Sequence, residues 1–305
     1  MKKMVDSYCW QESRQVMTIK EHGIPGVETF GHSLSHRAGF PLETHIHPGC
    51  MELVVMKKGK QVYTAGGERY PLSGGNIFIS FSGEEHSSGG EPQNISEFYW
   101  IQIHPEYQKG FLGLEENAGK ALCQRLSAIK KRLLHGSDTL MELMENCFWN
   151  TASDSSCRRE YGRSLLVTFL YEMLLQEKAE RSGVSEEIGR SVSYIRENIG
   201  EEIPLETLAD CAGLSLSRFK VRFKNETGIT PREYVNLAKI DEAKKRLQQN
   251  QPVTQVALDL GFGSSNYFAV LFKKVTLYTP TEYREKYGQE KEGAKTKKSD
   301  KVTEG

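Results

Sequence analysis

Three histidines and one glutamate have the spacing in this chain best suited to chemistry. His45 and His47 stand two residues apart, so on a β-strand their imidazoles leave the same face. Glu52 follows shortly after, and His86 comes beyond a later turn. Three imidazoles and a carboxylate are a ligand set suited to a divalent transition metal. Without metal, the same groups would line a small-molecule pocket or satisfy hydrogen bonds inside a barrel, and spacing alone leaves all three open. Tyr63, Phe78, Phe98, Trp100 and Gln102 lie on neighbouring stretches. They offer the stacking faces and hydrogen-bonding groups that a sugar uses.

The stretch that must position these groups reads as short strands. From Gly39 to Ile103, runs such as MELVVM, NIFISF and SEFYWIQI are separated by Gly-Gly and Lys-Gly turns. That pattern predicts a small β-barrel or sandwich. Beyond about Leu112 the period becomes helical. Leu122, Leu126, Ile129 and Leu133 share one face, and Leu166, Phe169, Leu170, Met173 and Leu174 share another within 161–180. The second stripe is expected to pair two chains into a homodimer. The tail after Tyr287 has a single Val as its only large apolar residue and is expected to be disordered.

Composition narrows the class. The 305 residues hold 40 Lys and Arg against 40 Asp and Glu, so net charge argues neither for nor against nucleic acid. Six cysteines are scattered without CxxC spacing, which disfavours a zinc ribbon or disulfide framework. The basic start of the chain has no apolar stretch behind it, and no run of about 18 apolar residues occurs anywhere. A cytoplasmic, reduced protein with no membrane partner is expected.

The last third contains one pattern twice. Pro204, Ala209 and Gly213 recur as Pro252, Ala257 and Gly261 at an offset of 48. After one inserted residue, Phe219, Phe223, Pro231, Glu233 and Tyr234 recur as Phe268, Phe272, Pro280, Glu282 and Tyr283 at an offset of 49. A repeat that keeps turn and aromatic positions is one supersecondary unit built twice. Each copy reads as a helix closed by Gly, a polar turn, and a second helix carrying Phe-x-x-x-Phe, which is the helix-turn-helix plan. In the first copy the phenylalanines should anchor the second helix, leaving Ser217, Arg218, Lys220, Arg222 and Lys224 to face double-stranded DNA. Arg bonds guanine bidentately and Lys mainly neutralises phosphate. The second copy offers Ser264, Ser265, Asn266, Ala269 and Val270 before Lys273 and Lys274, so unequal contributions are expected.

The segments LADCAGLSLSRFKVRFKNETGITPREYVNLAKIDEAKKRL and VALDLGFGSSNYFAVLFKKVTLYTPTEYR resemble the DNA-binding domain of the AraC/XylS transcription regulators. The resemblance covers roughly 188–287. It implies two helix-turn-helix units joined by a long helix, about Pro231 to Gln249, that place two reading helices in successive major-groove segments on one side of DNA. Leu277 stands where the family has Gly, which argues against a left-handed cap there, and Lys239 stands for the usual Arg. Upstream, Gly39-x5-His45-x-His47-x4-Glu52-x6-Gly59 and Gly75-x5-Phe81-x-Gly83-x2-His86 are similar to the two cupin motifs, with Phe81 replacing Pro and Gly90 replacing Asn. Barrels of this family often keep such histidines around an effector without metal. The resemblance therefore favours an effector pocket of His45, His47, Glu52, Tyr63, His86 and Trp100 with no cofactor. A divalent transition metal on His45, His47, Glu52 and His86 is the competing assignment.

The expected architecture is multidomain. A cupin-like β-barrel (1–110) senses the effector, a helical segment (111–187) dimerises, an all-α domain of two helix-turn-helix units (188–288) binds DNA, and a disordered tail (289–305) follows. The expected function is a sequence-specific transcription regulator, not an enzyme, responding to a small molecule such as a sugar. The alternative is a metal-dependent cupin enzyme with an accessory DNA-binding module.

Overall fold

The computed structural model describes residues 3–107, 109–178 and 184–288. The expected disordered tail, 289–305, lies outside the described residues. The front half is a curled, nine-stranded antiparallel sheet. Its strands are β1 (Cys9–Gln11), β2 (Arg14–Thr18), β3 (Val27–Ser35), β4 (Met51–Ala65), β5 (Glu68–Ser73), β6 (Asn76–Ser80), β7 (His86–Ser87), β8 (Ser96–Ile103) and β9 (Leu133–His135). A one-turn helix, α1 (Ile19–His22), joins β2 to β3. The long strand β4 is the spine. Its first half pairs with β8 and β6, and its second half with β5 and β7.

Period-two alternation sorts this sheet into two faces. Leu53, Val55, Ile77, Ile79, Tyr99, Ile101 and Ile103 point outward into one core, while Val54, Met56, Phe78, Phe98 and Trp100 point inward into another. The outer face is covered by α2 (Glu116–Ser127), α3 (Asp138–Thr151) and α4 (Ser156–Lys178). Here two expectations are corrected. Helix α2 ends at Ser127, so Leu133 does not continue the stripe of Leu122 and Leu126 but opens β9. The stripe of Leu166, Phe169, Leu170, Met173 and Leu174 is not free for a second chain. It is buried in the chain's own sheet–helix core with Phe30, Leu140 and Phe148. An amphipathic stripe needs a partner, and the nearest apolar surface was the outer face of the barrel.

The rear half is α5 (Glu186–Glu197), α6 (Leu205–Ala212), α7 (Leu216–Thr227), α8 (Pro231–Gln248), α9 (Val253–Asp259), α10 (Ser265–Thr276) and α11 (Pro280–Tyr287). Two separate cores form, one around Phe219 and Phe223 and one around Phe268 and Phe272, and α8 contributes to both. Both copies repeat their caps. Thr230 with Glu233 and Thr279 with Glu282 close capping boxes, each with Pro in the first turn. Lys239 is buried, donates to the Glu201 carbonyl at 2.8 Å and has its ammonium pushed down by burial, so it pins α8 to the loop after α5.

The cap at Leu277 corrects a further expectation. Leu277 takes φ 72°, matching Gly228 at φ 73°, and its N–H bonds the Lys273 carbonyl as Gly228 bonds Lys224. The repeated hydrogen-bonding frame overrides the side chain's preference against left-handed backbone. A non-Gly residue there costs roughly 1–2 kcal/mol. Leu277→Gly should therefore raise stability, by about 0.5–1 kcal/mol after the added unfolded-state entropy is offset. Urea unfolding with a lower midpoint than the parent would show that Leu277 packing outweighs the strain.

Candidate DNA-reading helices and the histidine pocket

Phe219, Phe223 and Thr227 bury one side of α7, and Phe268, Phe272, Val275 and Thr276 bury one side of α10. What remains exposed is nearly superimposable in sequence. At the offset of 49, Ser217, Arg218, Val221 and Lys224 correspond to Asn266, Tyr267, Val270 and Lys273, and all eight are exposed. Val221 is 62% exposed and Val270 61%. A β-branched apolar side chain so exposed, at the same place in both copies and opposite the buried phenylalanines, suits contact with a thymine methyl. Sequence reasoning named Lys224 and Val270 but missed Val221 and Tyr267. The signal was available in the repeat, because the phenylalanine offset assigns each its counterpart.

Of the expected DNA-facing residues, Ser217, Arg218, Lys220, Ser264, Ser265, Asn266, Val270 and Lys273 are all exposed. Arg222 is the exception. Its Nε donates to Glu226 at 2.8 Å, and its terminal nitrogens face Glu187 at 3.2 and 3.4 Å. Glu226 also accepts the Ser185 N–H at 2.7 Å. The guanidinium therefore ties α7 to the start of α5 instead of reaching for guanine. Its partners explain this: Glu226 stands one turn further along α7, at i+4, and Glu187 lies in the first turn of α5.

In the front domain, pairing register builds the histidine cluster. Glu52 on β4 sits opposite Gln102 on β8 and Ser80 on β6, so all three point inward. His45 pairs with His86 across an isolated bridge. His45, His47 and His86 are all buried, with candidate ligand atoms within 4.8 Å of one another. Glu52 lies 3.2 Å from His47 Nε2 and 3.2 Å from His86 Nε2, and it accepts from Gln102 at 3.1 Å. The four predicted residues do converge.

Ring orientation adds what spacing could not. His45 Nδ1 lies 2.7 Å from the Glu43 carbonyl, His47 Nδ1 3.2 Å from that of Met4, and His86 Nδ1 3.2 Å from that of Glu84. A carbonyl only accepts, so the contacts at His45 and His47 place the proton on Nδ1, whereas His86 Nδ1 also lies 2.9 Å from the Ser80 hydroxyl, which can donate to it; Nε2 of His47 and of His86 faces Glu52. Wherever Nε2 carries a lone pair, a proton or a cation must separate it from the carboxylate. Burial opposes ionisation of Glu52, yet hydrogen bonds with His47 and His86 hold its carboxyl well below the usual range. Burial likewise opposes charge on His47, but Glu52 outweighs it and raises that ring, whereas burial, with His86 nearby, lowers His45.

Tyr63 and Trp100 belong to the inward apolar cluster rather than standing free in a pocket. Tyr63 stacks on Phe78 with centroids 4.9 Å apart. The Trp100 indole N–H donates to Asp6 at 3.3 Å, Gln102 donates to the same oxygen at 3.1 Å, and Arg14 pairs with Asp6 while lying over the Trp100 ring. The segment before β1 thus engages the polar groups next to the cluster.

Known proteins show the same two parts. Residues 30–147 match the AraC-like ligand binding domain, and residues 208–286 match a helix-turn-helix domain. The HTH-type transcriptional activator RhaS of Enterobacter sp. (strain 638) is 25% identical over 254 residues, covering 82% of this chain and 89% of that protein. RhaS of Salmonella schwarzengrund (strain CVM19633) is 24% identical, with the same coverage of each. A transcriptional regulator of AraC type from Chromobacterium violaceum aligns at 27% identity and a TM-score of 0.32, covering 34% of this chain and 93% of that one. Among the described residues no helix is long and apolar enough to cross a membrane. With an AraC-like ligand binding domain ahead of a doubled helix-turn-helix, this chain belongs to the AraC family of DNA-binding transcription regulators.

Proposed function

We propose that the chain is an activator whose α7 and α10 read two neighbouring major-groove segments, under control of a small polar effector held in the curled sheet at His45, His47, Glu52 and His86. The matched exposed faces of α7 and α10 carry this reading. Arg218, Lys220, Lys224 and Lys273 supply phosphate or guanine contacts, Val221 and Val270 supply methyl contacts, and Ser217, Ser264, Ser265 and Asn266 supply hydrogen bonds. The effector acts through different affinities for two arrangements of the DNA-binding units. The test is binding of the full chain to fragments upstream of its neighbouring genes. The logarithm of affinity should fall linearly with that of salt, with a slope of about −0.9 per phosphate neutralised. Salt-independent binding, or none to any such fragment, overturns the proposal.

A second reading of the pocket is favoured by the ring orientations. Carbonyls that hold Nδ1 of His45 and His47, with Nε2 of His47 and His86 turned toward a carboxylate, suit a bound divalent transition metal. His45, His47, Glu52 and His86 would hold it, and it would supply a Lewis acid to grip an effector oxygen. Purified protein should then take up one equivalent of cobalt(II) with visible absorption, and His86→Ala should abolish both. Absent cobalt binding, with an effector response still lost in His47→Ala, leaves the metal-free pocket.

A further inference from the structure

The curled sheet rests on both helix-turn-helix units. The Gly74 turn after β5 packs backbone to backbone on Gly228, the cap of α7, where a Cβ on Gly74 would stand 2.5 Å from the Gly228 Cα. The Ala38 N–H donates to the Lys274 carbonyl in the last turn of α10 at 3.0 Å. Along this seam runs a cleft of about 890 Å³, lined from the sheet by Lys60 and Arg69 and from the rear domain by Arg196, Tyr234 and Lys244.

Charge in the cleft is unbalanced. Arg69 pairs with Glu91, Lys244 with Asp241 at 3.2 Å, and Lys245 with Glu242 at 3.2 Å. Lys60 and Arg196 line the same cleft, and among the described residues no carboxylate stands within ion-pair distance of either. The Lys60 ammonium is half-buried and lies 4.0 Å from the centre of the Tyr234 ring. Burial pushes its pKa down, Asp241 in the same cleft opposes this, and Arg196 adds to the lowering across the seam. Like charges from two domains thus face one space with no carboxylate in ion-pair contact, and Asp241, which lines the same cleft, is already paired with Lys244.

We propose that this cleft is a second ligand site that binds a small organic phosphate, with the phosphoryl group between Lys60 and Arg196. A phosphate monoester carries close to two negative charges near neutral pH, matching the two cations that lack an ion-pair partner, whereas a monocarboxylate would neutralise only one. Arg offers a fork to two phosphate oxygens and Lys a point charge to the third. Because Lys60 belongs to the sheet and Arg196 to α5, the bound anion cross-links the sensor to the DNA-binding domain. The site is separate from the histidine cluster and does not depend on what binds there.

Calorimetric titration of the full chain with glycerol 3-phosphate, and separately with inorganic phosphate, tests this. Saturable binding near one equivalent is expected, weakened at least tenfold in Lys60→Met and in Arg196→Met and unchanged in His47→Ala. Arg196 is exposed, so its variant should fold normally even if Lys60→Met does not. No saturable binding of either probe, or equal binding by Arg196→Met, overturns the proposal. Loss of DNA affinity in Arg196→Met without any phosphate effect would assign these cations to the DNA backbone and overturn it as well.

Discussion

Val221→Asp and Val270→Asp should each lower specific DNA affinity about 100-fold, roughly 2.7 kcal/mol, while leaving the folded protein as stable as before. Both side chains are mostly exposed and opposite the anchoring phenylalanines, so their replacement disturbs no core. A carboxylate in the same place meets the phosphate field of the groove and removes a methyl contact. Arg222→Ala is the contrast. Its guanidinium is already engaged by Glu187 and Glu226, so its loss should weaken the α5–α7 junction without changing preference at any single base pair. Fluorescence anisotropy with wild-type and single-base-substituted duplexes reads all three. Parent-like affinity in both aspartate variants would remove α7 and α10 as the reading helices. A base-specific loss in Arg222→Ala would mean that its ion pairs open on DNA.

Leu170→Glu should unfold the front domain rather than separate a dimer. Leu170 is fully buried between α3 and the sheet, and an unpaired buried carboxylate there adds to the loss of a leucine worth about 2–5 kcal/mol. A homodimer formed by this helix would have to use its other side. Tyr161, Thr168 and Leu175 recur there at intervals of seven, and all are exposed. Leu175→Glu should then yield a folded monomer by light scattering, with a melting curve like the parent's. A folded, parent-like Leu170→Glu would contradict the packing described for α4. A dimeric Leu175→Glu would place the chain–chain contact on another surface.

Much of this molecule is legible in its residues alone, for identifiable reasons. The doubled helix-turn-helix is visible because glycine, proline and phenylalanine occupy positions that only turns, caps and cores demand, and a 49-residue offset repeats them. The grouping of His45, His47, Glu52 and His86 is visible in their spacing, although His45 and His47 lie ahead of β4 outside any strand and an isolated bridge brings His45 to His86. Three features depended on tertiary structure. The α4 stripe is apolar whether it meets another chain or its own sheet, and only the packing of α2, α3 and α4 on the outer face decided between them. Arg222 has the composition of a base reader, and the partner that claims it, Glu187, lies 35 residues away on another helix. Leu277 contradicts its local propensity because the repeated frame of α10 and α11 imposes the cap. Local periodicity thus determined which elements form and which faces are apolar or charged. Long-range packing decided which of those faces remained available to a ligand, because burial and ion pairing are properties of neighbours that the chain brings together only when folded.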